Sequence, residues 1–94
     1  MNKNLDYNEK DVVDIISQFI IDNFIILNDQ KEKIDENISL YENGIVDSTG
    51  VLEIVDFLEE TFGIKIEDDE LVPDNLDSIK KISKFVQRKI DNAS

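Results

Sequence analysis

Three segments of this 94-residue chain carry apolar residues at spacings of three and four, the pattern of one face of an α-helix. Residues that interrupt helices are rare, since the whole chain has three glycines and one proline. All-β folds with many short strands need far more turn residues than this. The sequence therefore predicts an all-α protein, a small four-helix bundle with three long helices, one short helix and a long loop between helices 1 and 2.

The first two predicted helices have clear start signals. The first runs from about Glu9 to Ile26, with Asn8 as its N-cap. The second begins at Asp47 and Ser48, two residue types that cap helices well. Gly63 follows its last apolar residue, so we expect this glycine to form the C-terminal cap.

A polar connection of twenty residues, from Asn28 to Asp47, separates these two helices. A loop of this length is uncommon in a compact domain unless it is functional or attached to the core. Gly44 suits a backbone position with positive φ just before the second helix. We expect the loop to be attached to the core by four apolar residues: Ile34, Ile38, Leu40 and Ile45.

The C-terminal third of the chain is expected to hold the short helix and the last long one. Glu67 to Leu71 predicts one helical turn before Pro73, and the last helix runs from about Ser78 to Ile90. We expect the whole chain to form a single domain, with flexible termini at about 1–8 and 91–94. The acidic run at 67–70 lacks the alternating spacing of calcium ligands, so no metal site is predicted.

Composition and charge exclude several function classes. The chain has no cysteine and no histidine, which removes disulfides, thiolate nucleophiles, Ser-His-Asp triads and the usual transition-metal ligands. Twenty-two acidic and ten basic residues give a net charge of −12, which opposes binding to nucleic acid and to anionic membrane surfaces. We expect protein partners with basic patches instead.

Targeting and membrane signals are also missing from the sequence. The first residues lack the apolar stretch of a signal peptide, and no segment approaches the roughly 20 apolar residues of a membrane helix. We therefore expect a cytoplasmic protein with no membrane insertion. A monomer is the simplest expectation, because strong like charge keeps copies apart.

One face of the second predicted helix is polar and acidic. It contains no basic residue, so it forgoes the intrahelical Glu–Lys pairs that mixed charges would supply. From the residues alone, a solvated face and a docking surface for a partner protein stay equally open. The positions, spaced by four, three and four, are Thr49, Glu53, Asp56 and Glu60.

The segment from Gly44 to Ser48 brings a serine to a helix N-terminus. In one interpretation, Asp47 or Ser48 simply caps the helix. In the other, the serine hydroxyl is exposed for modification, because a phosphate there would lie at the positive end of the helix dipole. The residues alone leave both interpretations open.

The order of these features resembles that of the acyl and peptidyl carrier proteins, from the first predicted helix to about Ile90. The most specific part runs from Gly44 to Ile66, with a glycine, two apolar residues, Asp-Ser and an acidic helix ending in Phe-Gly. A short acidic helix follows, and then the segment Asp74 to Ile79, DNLDSI, which introduces the last helix.

The resemblance implies a carrier of acyl or aminoacyl groups that is not itself an enzyme. Ser48 would be the attachment point of 4′-phosphopantetheine, transferred from coenzyme A by a separate phosphopantetheinyl transferase. Asp47 matches the aspartate that precedes this serine and would help to present it. The thiol of the arm would hold the group as a thioester, which suits a chain without cysteine.

The resemblance also implies partner enzymes with basic docking patches. These are the transferase, an adenylating enzyme that loads the acyl or aminoacyl group, and downstream enzymes of fatty-acid, polyketide, nonribosomal peptide or related biosynthesis. The motifs are most similar to those of stand-alone carriers paired with an adenylating enzyme. Thr49 departs from the family, because many carriers have Leu or Met there. The implied partner-binding residues are Thr49, Glu53, Asp56, Glu59 and Glu60.

A degenerate carrier that keeps the fold without the arm is one alternative, and an acidic helical interaction module is the other. Such a protein would act as an inhibitor or as a mimic of an anionic ligand, and Ser48 would be only a helix cap. It would need no covalent modification, so a test for the modified form separates it from a carrier.

Overall fold

The computed structural model of the protein describes residues 8–24 and 34–93. Within these residues it is all-helical, which confirms the predicted fold class of a small helical bundle. A 3₁₀ helix, Asp68–Glu70, precedes the third α-helix. The α-helices are α1 (Glu9–Phe24), α2 (Ser48–Phe62), α3 (Pro73–Leu76) and α4 (Ile79–Ala93).

Caps fix the helix ends where the sequence placed them. The Asn8 side chain accepts a hydrogen bond from the Asp11 N–H at 2.9 Å, so Asn8 caps α1 as predicted. Gly63 has a φ of 68° and donates its N–H to the Glu59 carbonyl at the end of α2. The predicted end of the first helix at Ile26 lies outside the described residues, and the described part of α1 ends at Phe24.

The short helices differ in position from the expected one. The 3₁₀ helix lies within the predicted turn at 67–71, but the short α-helix α3 begins after it, at Pro73, where no helix was predicted. Proline lacks an N–H and has a fixed φ, and both properties suit the first position of a helix. Pro73 therefore starts a helix as well as ending the segment before it.

The last helix is longer than expected. Ser78 caps it by accepting a hydrogen bond from the Lys81 N–H at 3.0 Å, which agrees with the predicted start. At its other end α4 continues to Ala93, past Ile90 and into the part that we expected to be a flexible terminus.

The core lies between α4 and the other helices. Helices α1 and α3 both pack against α4. Phe19 of α1 stacks on Phe57 of α2, with ring centroids 4.0 Å apart and ring planes 15° apart. The fully buried side chains of the helices, with an exposed fraction of 1% or less, are Val12, Ile16, Ile20, Ile54, Leu58, Ile79, Ile82, Ser83 and Val86.

The loop before α2 is attached to this core by its apolar residues. Leu40 is buried, and Ile34 and Ile45 pack against the core, as predicted. Ile38 is half-buried but lies outside the core cluster. No helix in the described part of the chain has the length and apolar character needed to cross a membrane.

Two buried serines, one just before α4 and one within it, differ in whether their hydroxyl groups form a hydrogen bond. The Ser83 hydroxyl is fully buried and has no hydrogen-bond partner among the described residues, whereas Ser78 caps α4. Because an unpaired buried hydroxyl is costly, Ser83→Ala should raise the free energy of unfolding by about 1 kcal/mol or leave it unchanged. Loss of the cap in Ser78→Ala should lower it by about 1 kcal/mol. Urea unfolding measures both changes, and a larger loss at Ser83 than at Ser78 would contradict the prediction.

Candidate functional site

Ser48 is the first residue of α2, and its side chain is exposed. The residue before it, Asp47, is the N-cap, with an extended backbone at φ −112° and ψ −171°. Its Oδ1 accepts a hydrogen bond from the Gly50 N–H at 2.8 Å. Of the two residues that the sequence offered as caps, Asp47 therefore does the capping. No described residue is hydrogen-bonded to the Ser48 hydroxyl, so this hydroxyl is available.

The surroundings of Ser48 fit a phosphate group. The first N–H groups of a helix have no acceptor within the helix, and the helix dipole places positive charge there. In α2 the Asp47 carboxylate accepts from the N–H of Gly50 alone. An exposed hydroxyl at the first helical position can therefore carry a phosphodiester without burying a charge.

A compact turn delivers the chain to Asp47. The Leu40 carbonyl accepts hydrogen bonds from the N–H groups of Ile45 at 2.9 Å and Val46 at 3.2 Å. Gly44 has the predicted positive φ, at 70°, and its N–H bonds to the Tyr41 carbonyl. Val46 then enters the core with 4% of its surface exposed, directly before the capping residue. Hydrogen bonds and the buried Val46 side chain thus hold the backbone that leads to the serine, both before and after Gly44.

Gly50 allows the end of α1 to approach the start of α2. A Cβ atom at this position would lie 2.9 Å from Cε1 of Phe24, 3.1 Å from Cγ1 of Val46 and 3.3 Å from Oδ1 of Asp47. These separations are shorter than ordinary van der Waals contacts. The sequence did not single out Gly50, because the nearest of these atoms belongs to Phe24 of another helix.

An alanine at this position should therefore destabilise the protein. Gly50→Ala gains about 1 kcal/mol of helix propensity but overpacks the site, which costs about 1–3 kcal/mol. We expect a net loss of about 1 kcal/mol in the free energy of unfolding, measured in urea. The control is Thr49→Ala at the exposed neighbouring position, which should change it by less than about 0.5 kcal/mol. If Gly50→Ala instead raised the free energy of unfolding, the space at this position would be large enough for a Cβ atom.

A groove of about 330 Å³ opens beside Ser48. It lies between the loop before α2, the first turn of α2 and α3, and Ser48 is on its wall. Tyr41 and Val72, two of the most exposed large apolar residues, also line it. Its other apolar lining residues include Leu40, Val46, Val51, Leu71 and Leu76.

A polar network holds one wall of this groove against α4. The Lys89 ammonium lies 2.9 Å and 3.2 Å from the two carboxylate oxygens of Glu70. A hydrogen bond from the Glu67 N–H and the nearby Lys89 together hold the pKa of Glu70 below its usual value. Asn75 donates to the Glu70 carbonyl and accepts from Arg88, at 2.9 Å and 3.1 Å. The segment that carries Leu71 is thereby joined to the last helix.

The predicted partner-binding residues of α2 fall into two groups in the structure. Thr49, Glu53, Asp56 and Glu60 are all exposed. Glu59 is half-buried, and its carboxylate accepts a hydrogen bond from the Ile66 N–H at 2.9 Å. This contact attaches the segment after α2 to the helix, so Glu59 has a structural partner that the exposed residues lack. Among the described residues, no group of three or more acidic side chains could hold a metal ion.

Comparisons with known proteins agree with this geometry. The family model described as a phosphopantetheine attachment site matches residues 26–86, which include the loop, α2 and the groove. The chain is 32% identical over 62 residues to a probable acyl carrier protein, PigG, of a Serratia species, covering 66% of this chain and 71% of the relative. It is also 32% identical over 74 residues to the D-alanyl carrier protein of Streptococcus pyogenes serotype M5, covering 77% of this chain and 91% of the relative. The chain therefore belongs to the phosphopantetheine-binding carrier proteins, which bear a covalent 4′-phosphopantetheine and are non-catalytic substrates of their partner enzymes.

Proposed function

We propose that Ser48 is the attachment site of the 4′-phosphopantetheine and that the protein carries an acyl or aminoacyl group on it. One observation carries the assignment: Asp47 caps α2, which leaves the exposed Ser48 hydroxyl without a hydrogen-bonding role among the described residues. A serine that capped the helix would have to give up that bond to be modified. At Ser48, helix capping and modification do not compete for the hydroxyl, because Asp47 is the cap.

The chain contributes the nucleophile and its placement to the attachment step. Ser48 Oγ loses its proton and bonds to the phosphate of the phosphopantetheine half of coenzyme A, and adenosine 3′,5′-bisphosphate leaves. The likeness to carrier proteins implies that the base and the Mg²⁺ come from the transferase, which suits a carrier without histidine. Asp47 holds the first turn of α2 in place while the exposed hydroxyl reacts.

The arm supplies a terminal thiol that holds the group as a thioester, since the chain has no cysteine of its own. The likeness to a D-alanyl carrier protein over 91% of that relative supports an aminoacyl group as the cargo. The likeness to a probable acyl carrier protein supports an acyl group. We propose the same site for either, in a monomeric, cytoplasmic, single-domain carrier.

The exposed residues of α2 support docking of these enzymes. Thr49, Glu53, Asp56 and Glu60 lie on the helix that begins with Ser48, so a partner bound there meets the arm at its base. Basic patches on the transferase and the loading enzyme are the complementary surface. Glu59 belongs to the same acidic helix, but its bond to Ile66 makes it a weaker contributor.

The test is the intact mass of the protein after incubation with coenzyme A, Mg²⁺ and a broad-specificity phosphopantetheinyl transferase. We expect a gain of one phosphopantetheine, and fragmentation of the peptide that contains it should place the added mass on Ser48. No gain from a folded sample, alongside a control carrier that is modified, would overturn the assignment. That result would favour the acidic interaction module instead.

A further inference from the structure

A residue between α3 and α4, Asp77, makes three hydrogen bonds to the loop that leads to Ser48. Its Oδ2 accepts from the Ser39 hydroxyl at 2.7 Å, and its Oδ1 accepts from the Tyr41 N–H at 3.1 Å. Its carbonyl accepts from the Leu40 N–H at 2.7 Å. Ser39 and Asp77 are 38 residues apart, so these bonds join two distant segments of the chain.

Short steps connect these bonds to the modified serine. Leu40, held by the Asp77 carbonyl, accepts in turn from the N–H groups of Ile45 and Val46. Val46 is buried and is followed directly by the capping residue and Ser48. Asp77, Leu40, Val46 and Ser48 also line the same groove. Hydrogen-bonded backbone therefore connects Asp77 to the serine, so a shift of Asp77 should also shift Ser48.

Of the hydrogen bonds that join the loop to the segment at 77–80, those of Asp77 lie nearest to the serine along the chain. Among the described residues, no salt bridge involves the loop at 34–47 or α2. A backbone bond from the Lys80 N–H to the Glu36 carbonyl at 2.9 Å holds the loop further from the serine. Ser39 itself accepts from the Glu42 N–H at 2.9 Å, so the Asp77 carboxylate also orients the hydroxyl that organises the turn.

We propose that Asp77 is a positioning residue for attachment of the arm: it holds the loop at 39–46 in the conformation that presents Ser48 to the transferase. This inference rests on the proposed function of Ser48. Without the Asp77 carboxylate, the loop loses the bonds from Ser39 and Tyr41 and keeps only the backbone bond from Leu40 and its buried side chains. It then exchanges among several conformations, and only a fraction of molecules can dock. The apparent affinity of the transferase then falls by that fraction, while the chemical step after docking is unchanged.

Steady-state kinetics of arm attachment, with the carrier as the varied substrate, test this directly. Asp77→Ala should raise KM for the carrier about 10-fold and leave kcat within about twofold, as expected when one molecule in ten is competent. Asp77→Asn keeps an amide oxygen for the Tyr41 N–H, so its KM should lie between those of the wild type and Asp77→Ala. Adding Ser39→Ala to Asp77→Ala should raise KM by a smaller factor than Ser39→Ala does alone, because the bond between the two side chains is already lost and only the bond from the Glu42 N–H remains to be removed.

Ser78→Ala is the matched control. It loses the cap of α4, at about 1 kcal/mol, but keeps every bond between Asp77 and the loop. Its KM should equal that of the wild type. An equal KM increase in Ser78→Ala, or a wild-type KM in Asp77→Ala, would overturn the proposal. If Asp77→Ala does not fold, Asp77→Asn and Ser39→Ala carry the test, and wild-type KM values in both would overturn it.

Amide hydrogen exchange gives a second readout. In Asp77→Ala the N–H groups of Leu40, Tyr41 and Ile45 should exchange faster, while those of α1 keep their protection. Unchanged exchange in the loop would overturn the proposal. A wild-type protein that takes up no arm would overturn the function of Ser48 and this inference with it. A modified wild type beside an unaffected Asp77→Ala would overturn the inference alone.

Discussion

Replacement of Ser48 by alanine should abolish attachment of the phosphopantetheine arm and leave the free energy of unfolding within about 0.5 kcal/mol of the wild type. The chemical effect is complete because the variant has no oxygen at this position to bond the phosphate. The effect on stability is small because Asp47, not Ser48, caps α2 and because the serine side chain is exposed. Intact mass after incubation with coenzyme A and the transferase measures the first effect, and urea unfolding measures the second.

Thr49 provides the control for this substitution. Its exposed hydroxyl lies one residue further along α2, so Thr49→Ala should be modified to the same stoichiometry as the wild type. A Ser48→Ala variant that still gains the arm would refute the assignment of the site. Loss of more than about 2 kcal/mol of stability in the same variant would mean that the serine has a structural role after all.

Reversal of charge at Glu53 and Asp56 should have the second largest effect. Both side chains are exposed on α2, five and eight residues after Ser48, and neither has an ion-pair partner among the described residues. Replacement of both by lysine should lower kcat/KM for arm attachment by about 10-fold to 100-fold at low salt, because steering by a basic partner depends on them. The difference should shrink as ionic strength rises.

Asp14 and Asp22 supply a control of equal charge. Both are exposed on α1, so their double replacement by lysine changes the net charge by the same amount in another helix. We expect kcat/KM to fall much less in this control than in the Glu53 and Asp56 variant. Equal losses in the two variants would mean that only net charge matters, and no loss in either would exclude docking through the acidic face of α2.

The helices and their caps could be predicted because their signals are local. The apolar face of α2 and the cap residues Asn8 and Gly63 each act within a few residues of their own position. The short helix that begins at Pro73 was not predicted, because the same restriction on φ both ends one segment and starts the next. The local sequence could not decide between these outcomes.

The parts of the site that the sequence did not reveal depend on contacts between distant segments. Gly50 is needed because of Phe24, and Asp77 acts on Ser39 across 38 residues. Glu59 has the sequence pattern of a surface acid, yet it bonds to Ile66 beyond the end of its helix. In each case the residue type is compatible with several roles, and only the tertiary fold selects one.

The hydrogen bond from the Gly50 N–H to Asp47 bears on how well the protein resists proteases before the arm is attached. Since this bond does not involve the serine, attachment of the arm breaks no contact that stabilises α2. The unmodified form therefore already has the cap that protects the start of α2 from proteases, and newly made protein can await its arm with this helix formed.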